Sequence, residues 1–312
     1  MRFSLTGSTN LTWDEIREAA GLAEELGFDA FYANDHLRAG PGFDAERGTL
    51  DASSVIAALG PITRSIRLGC LVSPVTVRHP VLLARVAQTL DRITGGRVEI
   101  GLGAGWDAPE HRSFGFAFPS ATSRVAMLDD ACRAISGLWR GPVDIEGRFP
   151  LSGARLTPRP VQAEAPIVVG GASDATVDVA ARWAVRWNAS GSPGFLAGRV
   201  AALRHGEEQA GRPVGSVEAT AMVCVHFCST DADVDAARNR ARSLSTRGQA
   251  RSWADGEDPA ESAFVGRPGE LAGYLDRVRA AGIERAILSL PRPWSPDRLT
   301  QLAVAAGMTV AV

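Results

Sequence analysis

Short runs of β-branched and other apolar residues alternate along the chain with segments whose apolar positions recur every three or four residues. Each short run predicts a buried strand, over 2–6, 29–34, 66–72, 97–102, 166–169, 185–190, 217–227 and 285–290. The segments between them carry explicit helix signals. Thr12-Trp13-Asp14-Glu15 forms a capping box ahead of the stripe Ile16, Ala19, Ala20, Ala23 and Leu26, and Gly27 stops that helix. His79-Pro80 puts proline at a first helical position, and Arg267-Pro268 and Ser295-Pro296 open two later helices. Between strands four and five runs a long excursion with a helix over 124–139 and a hairpin over 143–156, too long for a plain connection and therefore an insertion with a function. Eight strand–helix units without a linker predict an α/β fold: a single (β/α)8 TIM barrel domain over 1–312, with an insertion at about 106–156 and a polar loop at about 246–262.

Composition narrows the chemistry. All 33 cationic side chains are arginine, because the chain contains no lysine. Schiff-base lysines, a pyridoxal phosphate anchor and a phosphate-loop lysine are thereby excluded, since a guanidinium does not deprotonate to replace them. A net charge of −2 gives no electrostatic footprint for nucleic acid. No run approaches the roughly 18 apolar residues of a membrane span, and no signal segment is evident at the N-terminus. The expectation is a cytoplasmic protein that acts on a small molecule, with no nucleic-acid or membrane partner. Its four scattered cysteines are expected as free thiols.

In such a barrel the residues following each strand carry function. Strand two exits through Asn34-Asp35-His36, a carboxylate beside an imidazole, which is either an acid/base or ring-binding pair or an ordinary polar loop. Strand four exits through Gly101-Leu102-Gly103-Ala104-Gly105-Trp106, where alternate glycines let backbone approach a flat or phosphorylated ligand. The spacing is not that of a dinucleotide fingerprint, and the insertion replaces the βαβ unit which that fingerprint requires. Strand five exits through Gly170-Gly171-Ala172-Ser173 into a helix. This is an anion site that needs no lysine or, equally, a turn with Ser173 as N-cap. The small polar residues Asn188-Ala189-Ser190 after strand six could add a wall to it. Cys224, His226 and Cys228 share one strand face but span roughly 13 Å when extended, too far for a single metal ion. Of the seven tryptophans, Trp106 alone stands where a ligand could reach it.

Several of these segments together resemble the luciferase-like monooxygenase superfamily: Gly27-Phe28-Asp29, Asp35-His36, Ile66-Arg67-Leu68-Gly69, Arg78-His79-Pro80, Gly95-Gly96-Arg97-Val98, Gly101 to Trp106 and Gly170-Gly171. Within it the chain looks most like the branch that uses the deazaflavin coenzyme F-420 (8-hydroxy-5-deazaflavin). The resemblance implies hydride transfer to or from a small organic substrate, with Asp35 contacting the ring and His36 as the catalytic proton donor or acceptor. It also implies a non-prolyl cis peptide at Leu71-Val72 backing the ring, Ala104 and Gly105 lining the coenzyme, and Gly170 and Gly171, flanked by Ser190, holding its phosphate through backbone N–H groups. Where the family's glucose-6-phosphate dehydrogenases carry a glutamate after the strand-four glycines, this chain has Trp106, and the lysine that helps hold the sugar phosphate is missing. An apolar or aromatic substrate is therefore expected, with Glu110 as a second acid. The alternatives are an FMN-dependent monooxygenase and a non-catalytic flavin or deazaflavin binder. A homodimer is expected from the family.

Overall fold

The computed structural model of the protein describes residues 1–7, 9–39, 46, 48–244, 261–291 and 293–309. Eight parallel strands form the barrel: β1 (Arg2–Gly7), β2 (Ala30–Ala33), β3 (Arg67–Cys70), β4 (Val98–Gly103), β5 (Ile167–Gly170), β6 (Arg186–Ala189), β7 (Glu218–Phe227) and β8 (Arg285–Ser289). Each pairs with the next, and β8 returns to β1 in the register Arg2 to Arg285, which closes the sheet. All eight coincide with the apolar runs. Closure removes the sheet edges and buries both faces, which is why the strands read as continuous apolar runs.

Several elements differ from the sequence expectation. Ala263–Gly266 is a fully buried strand that extends the outer half of β7 in parallel. Four residues are too few to show periodicity, so the run merges with the polar stretch before it. The helix Ala52–Leu59, N-capped by Asp51, is a second addition, between strands two and three. The expected insertion contains the short helix Ala108–Ser113, the helix Ala121–Arg140 and the hairpin strands Val143–Ile145 and Leu151–Ala154. Most of the expected 246–262 loop lies outside the described residues. Among the described residues, no helix is long and apolar enough to cross a membrane.

The end of the barrel at the strand starts is plugged by charge. Glu99, with no side-chain exposure, meets Arg67 at 2.5 Å and Arg186 at 3.1 Å and accepts a 2.5 Å hydrogen bond from Tyr32. Arg186 and Arg285 share Glu218 at 2.6 and 3.0 Å, and Arg2 reaches the same carboxylate at 2.7 Å. Burial pushes the Glu99 carboxyl up, but the charges of Arg186, Arg67 and Arg285 outweigh it and hold the group below the usual carboxylate range. Here the all-arginine composition acquires a structural use, because a guanidinium fork bridges two carboxylates where an ammonium would reach one point. Leu71 packs on Ala30, Tyr32 and Ile287, so side chains fill the barrel interior.

Candidate active site

The centre of that face is a bulge. Strand pairing runs Gly69 to Glu99 and resumes at Ser73 to Leu102, four steps on one strand against three on its neighbour. The extra residue is accommodated at Leu71-Val72, whose peptide bond is cis. The strand-four glycines make room for it. A Cβ on Gly101 would stand 1.8 Å from the Cys70 carbonyl oxygen, and one on Gly103 would stand 2.6 Å from Val72 Cγ2. Gly170 faces Val72 as well, with 2.9 Å to Cγ1. These glycines therefore serve protein packing, which corrects the expectation that all the alternate glycines face a ligand. Gly105 has a different reason, at φ 78° with a would-be Cβ 2.5 Å from Thr76 Oγ1.

The β2 exit lies alongside. Leu71 N–H donates to Ala33 O at 2.9 Å, and Ser73 Oγ donates to Asp35 at 2.6 Å. Arg78 completes the grip, donating from Nε and Nη2 to the two oxygens of Asp35 at 2.7 and 2.6 Å and from Nη2 to Asp51 at 2.7 Å. Asp35 is only 6% exposed, so its carboxylate holds the bulge through Ser73 and the β2 exit through Arg78. Arg78 belongs to a segment that carries the family resemblance, but its bidentate role was not legible from sequence.

His36 follows. Its Nδ1 stands 3.3 Å from both oxygens of Glu110, while Thr49 Oγ1 donates to its carbonyl at 2.9 Å. Burial pulls the imidazole pKa down. The hydrogen bond and charge of Glu110, followed by the charges of Asp107 and Asp35, outweigh that and leave it raised above its ordinary value. The Trp106 ring meets His36 edge-on, centroids 5.6 Å apart, and is 46% exposed. Structure thus brings together His36, Glu110, Trp106 and Asp35 with the Leu71-Val72 bulge.

The short helix carrying Glu110 is tied down on every side. Asp107 caps it, accepting from Glu110 N–H at 2.9 Å, and receives Arg38 Nη2 at 3.1 Å on both oxygens. Leu37 N–H donates to Glu110 Oε1 at 2.8 Å. On the far side His111 Nδ1 meets Asp107 O at 2.7 Å, which makes Nδ1 the protonated nitrogen, and Nε2 accepts from Thr76 Oγ1 at 2.7 Å. Asp107-Ala108-Pro109-Glu110 is a cap followed by first-turn proline and acid, the one sequence signal that would have found this helix. Arg124 donates to Gly105 O at 3.1 Å and stacks 3.9 Å over Phe118, fastening the next helix to the strand-four exit. His36, Asp107 and Glu110 place possible metal-ligand atoms within 4.8 Å of one another. Arg38, however, covers both Asp107 oxygens, and two backbone N–H groups occupy Glu110 Oε1, so the cluster is a hydrogen-bonded dyad with its clamp.

At the β5 exit the expectation needs correction. Gly171 N–H donates to Asn188 O at 2.9 Å, and Gly171 O accepts from Trp187 Nε1 at 2.7 Å, so this residue has no N–H to offer an anion. Its φ of 143° and a would-be Cβ 2.7 Å from Thr176 Cγ2 explain the glycine as a turn residue. Ser173 caps the helix Asp174–Trp183, whose first-turn N–H groups at Asp174 and Ala175 have no helical carbonyl within reach. Ala104, Ser190 and Gly170 are half-buried at the same face.

The sequence pattern of the family described as luciferase-like monooxygenase matches residues 1–307. An F-420-dependent glucose-6-phosphate dehydrogenase of Microbacterium testaceum is 33% identical over 172 residues, covering 54% of this chain and 50% of that enzyme. A pyrimidine monooxygenase, RutA, of Variovorax paradoxus is 30% identical over 177 residues, 54% of this chain and 46% of that one. The chain thus spans about half the length of these two relatives. The structure of an F-420-dependent secondary alcohol dehydrogenase with an F-420–acetone adduct superposes with a TM-score of 0.83 over 100% of this chain and 99% of that one. At 20% identity, that likeness shows the shared fold.

Proposed function

Because the chain belongs to the luciferase-like monooxygenase family, we propose that it is an oxidoreductase that binds a tricyclic flavin or deazaflavin coenzyme at the open end of the barrel and acts on a small apolar or aromatic organic substrate. The observation that carries this reading is the register bulge at Leu71-Val72, tied through Ser73 and Asp35 to the β2 exit that carries His36, an imidazole held at one nitrogen by Glu110. When bound, the coenzyme supplies the two-electron chemistry. Leu71 and Val72 would back its ring, Ala104 and Gly105 would line it, and the first-turn N–H groups of Asp174 and Ala175, beside Ser190, would receive its phosphate. Asp35 keeps the bulge and the β2 exit in register through Ser73 and Arg78. His36 gives or takes a proton at Nε2, and the exposed face of Trp106 receives the substrate.

Two coenzymes fit this frame. F-420 is supported by the dehydrogenase relative. The monooxygenase alternative, with FMN as its coenzyme, is supported by the family's description as a monooxygenase and by the pyrimidine monooxygenase relative. The acid/base dyad speaks against a non-catalytic binder, which needs no such group beside the ring. Parallel assays across a panel of apolar and aromatic substrates test the reading: absorbance change of F-420 without oxygen, and oxygen consumption with reduced FMN. Turnover in either supports an enzyme of this class; binding of a coenzyme with no turnover across the panel supports the binder instead.

A further inference from the structure

Glu110, placed above only as the neighbour of His36, is the most completely enclosed carboxylate among the described residues at the open end of the barrel. Its side chain is 3% exposed against 32% for His36. Oε1 accepts from the N–H groups of Leu37 and Arg38 at 2.8 and 3.4 Å and both oxygens face His36 Nδ1 at 3.3 Å, a set of donors that favours the ionised carboxylate. Burial pushes Glu110 up, but the hydrogen bond and charge of His36, with those N–H groups, bring it below the ordinary carboxylate range. It is thus built to stay an anion, contrary to the sequence expectation of a second acid.

We infer that Glu110 is the positioning residue of the site: an anionic acceptor that fixes the proton of His36 on Nδ1 and leaves Nε2 as the reacting nitrogen. The inference rests on the functional reading above for the use made of Nε2, but not for the tautomer. A carboxylate only accepts, so the nitrogen facing it carries the hydrogen. Among the described residues Nε2 has no protein partner. The charged groups around the imidazole are Glu110 and Asp107 from the insertion, Asp35 from the β2 exit, and Arg38 and Arg78, which neutralise Asp107 and Asp35 in turn. Glu110 is the carboxylate of this set that faces the imidazole directly without an arginine upon it. Asp107 and Arg38 act one step further out, holding the helix so that Glu110 meets the ring.

Nitrogen-15 NMR of the coenzyme-free protein, with the His36 signals assigned through His36→Gln, tests this directly. In the wild type we expect the Nδ1–H tautomer and a titration midpoint above that of the urea-unfolded chain. In Glu110→Gln the amide oxygen still accepts but the charge is gone, and the midpoint should fall by about one pH unit. An Nε2–H tautomer in the wild type, or an unchanged midpoint in folded Glu110→Gln, overturns the inference. The wild-type tautomer keeps the test decisive should the variant not fold. The pH–rate profile separates the two levels: a midpoint that moves with the rate limb following it supports both readings, whereas a midpoint that moves without the rate leaves Glu110 as assigned and removes His36 from the chemistry.

Discussion

Gly101 lies directly beneath Cys70: a single added carbon on Gly101 would sit 1.8 Å from the Cys70 carbonyl oxygen. That contact is with backbone and cannot be relieved by rotating a side chain. The obstacle at Gly103 is Val72 Cγ2 at 2.6 Å, the tip of a side chain. Gly101→Ala should therefore destabilise the protein by about 3 kcal/mol, at the upper end of overpacking effects, and Gly103→Ala by about 1–2 kcal/mol. Val72→Ala should restore part of the loss in Gly103→Ala and none in Gly101→Ala. Urea midpoints of the four variants check this, and equal rescue of both glycine variants would contradict the packing described for the bulge.

Arg78 binds Asp35 through two nitrogens and Asp51 through one of them. Burial pulls its guanidinium pKa down, but the hydrogen bonds and charges of Asp35 and Asp51 outweigh that and raise it above the ordinary range. Arg78→Lys should destabilise by about 2 kcal/mol, since an ammonium does not reproduce the fork, and Arg78→Ala by about 3 kcal/mol, since it leaves Asp35 buried with Ser73 alone. Thermal or urea unfolding measures both.

Glu24 accepts N–H bonds from Arg64, Ser65 and Ile66 at 2.9, 2.6 and 2.9 Å, joining the first helix to the entry of β3. Burial raises its carboxyl, but the Ile66, Ser65 and Arg64 bonds prevail and bring it down to about 2. A group depressed on folding stabilises above its unfolded pKa of about 4.3, and that contribution disappears as pH falls toward the folded value. Solvent screening at this near-surface site keeps the effect small. Glu24→Gln should be about 1 kcal/mol less stable than wild type at pH 7, with the difference vanishing between pH 4.5 and pH 2. A difference independent of pH would show that the charge plays no part.

His36→Ala should lower turnover by about 10²–10⁴-fold, the usual contribution of a positioned acid or base, while coenzyme affinity stays nearly constant. Loss of affinity in proportion to turnover would make His36 a binding residue instead.

Much of this architecture was legible in the order of residues. The caps Thr12, His79 and Ser295 are local signals, and all eight strands stand where the apolar runs place them. The family resemblance located His36 and the Leu71-Val72 bond. What stayed hidden depends on distance in sequence. Glu99 meets Arg186 and Arg285 only after barrel closure, and Glu110 meets His36 across 74 residues. Gly101 and Gly171 read as ligand-facing because small residues look alike whether a ligand or the chain itself needs the space. Only the register, with its extra residue at the bulge, shows that Gly101 serves the chain.

Equilibrium titration of the wild-type protein with F-420 and, in parallel, with FMN, followed by coenzyme fluorescence, tests the central claim most directly. The account predicts saturable one-to-one binding of at least one of them, weakened in Gly101→Ala because the bulge that backs the ring is displaced. If neither coenzyme binds folded wild-type protein, or if binding is indifferent to the bulge, the Leu71-Val72 face is not a coenzyme site.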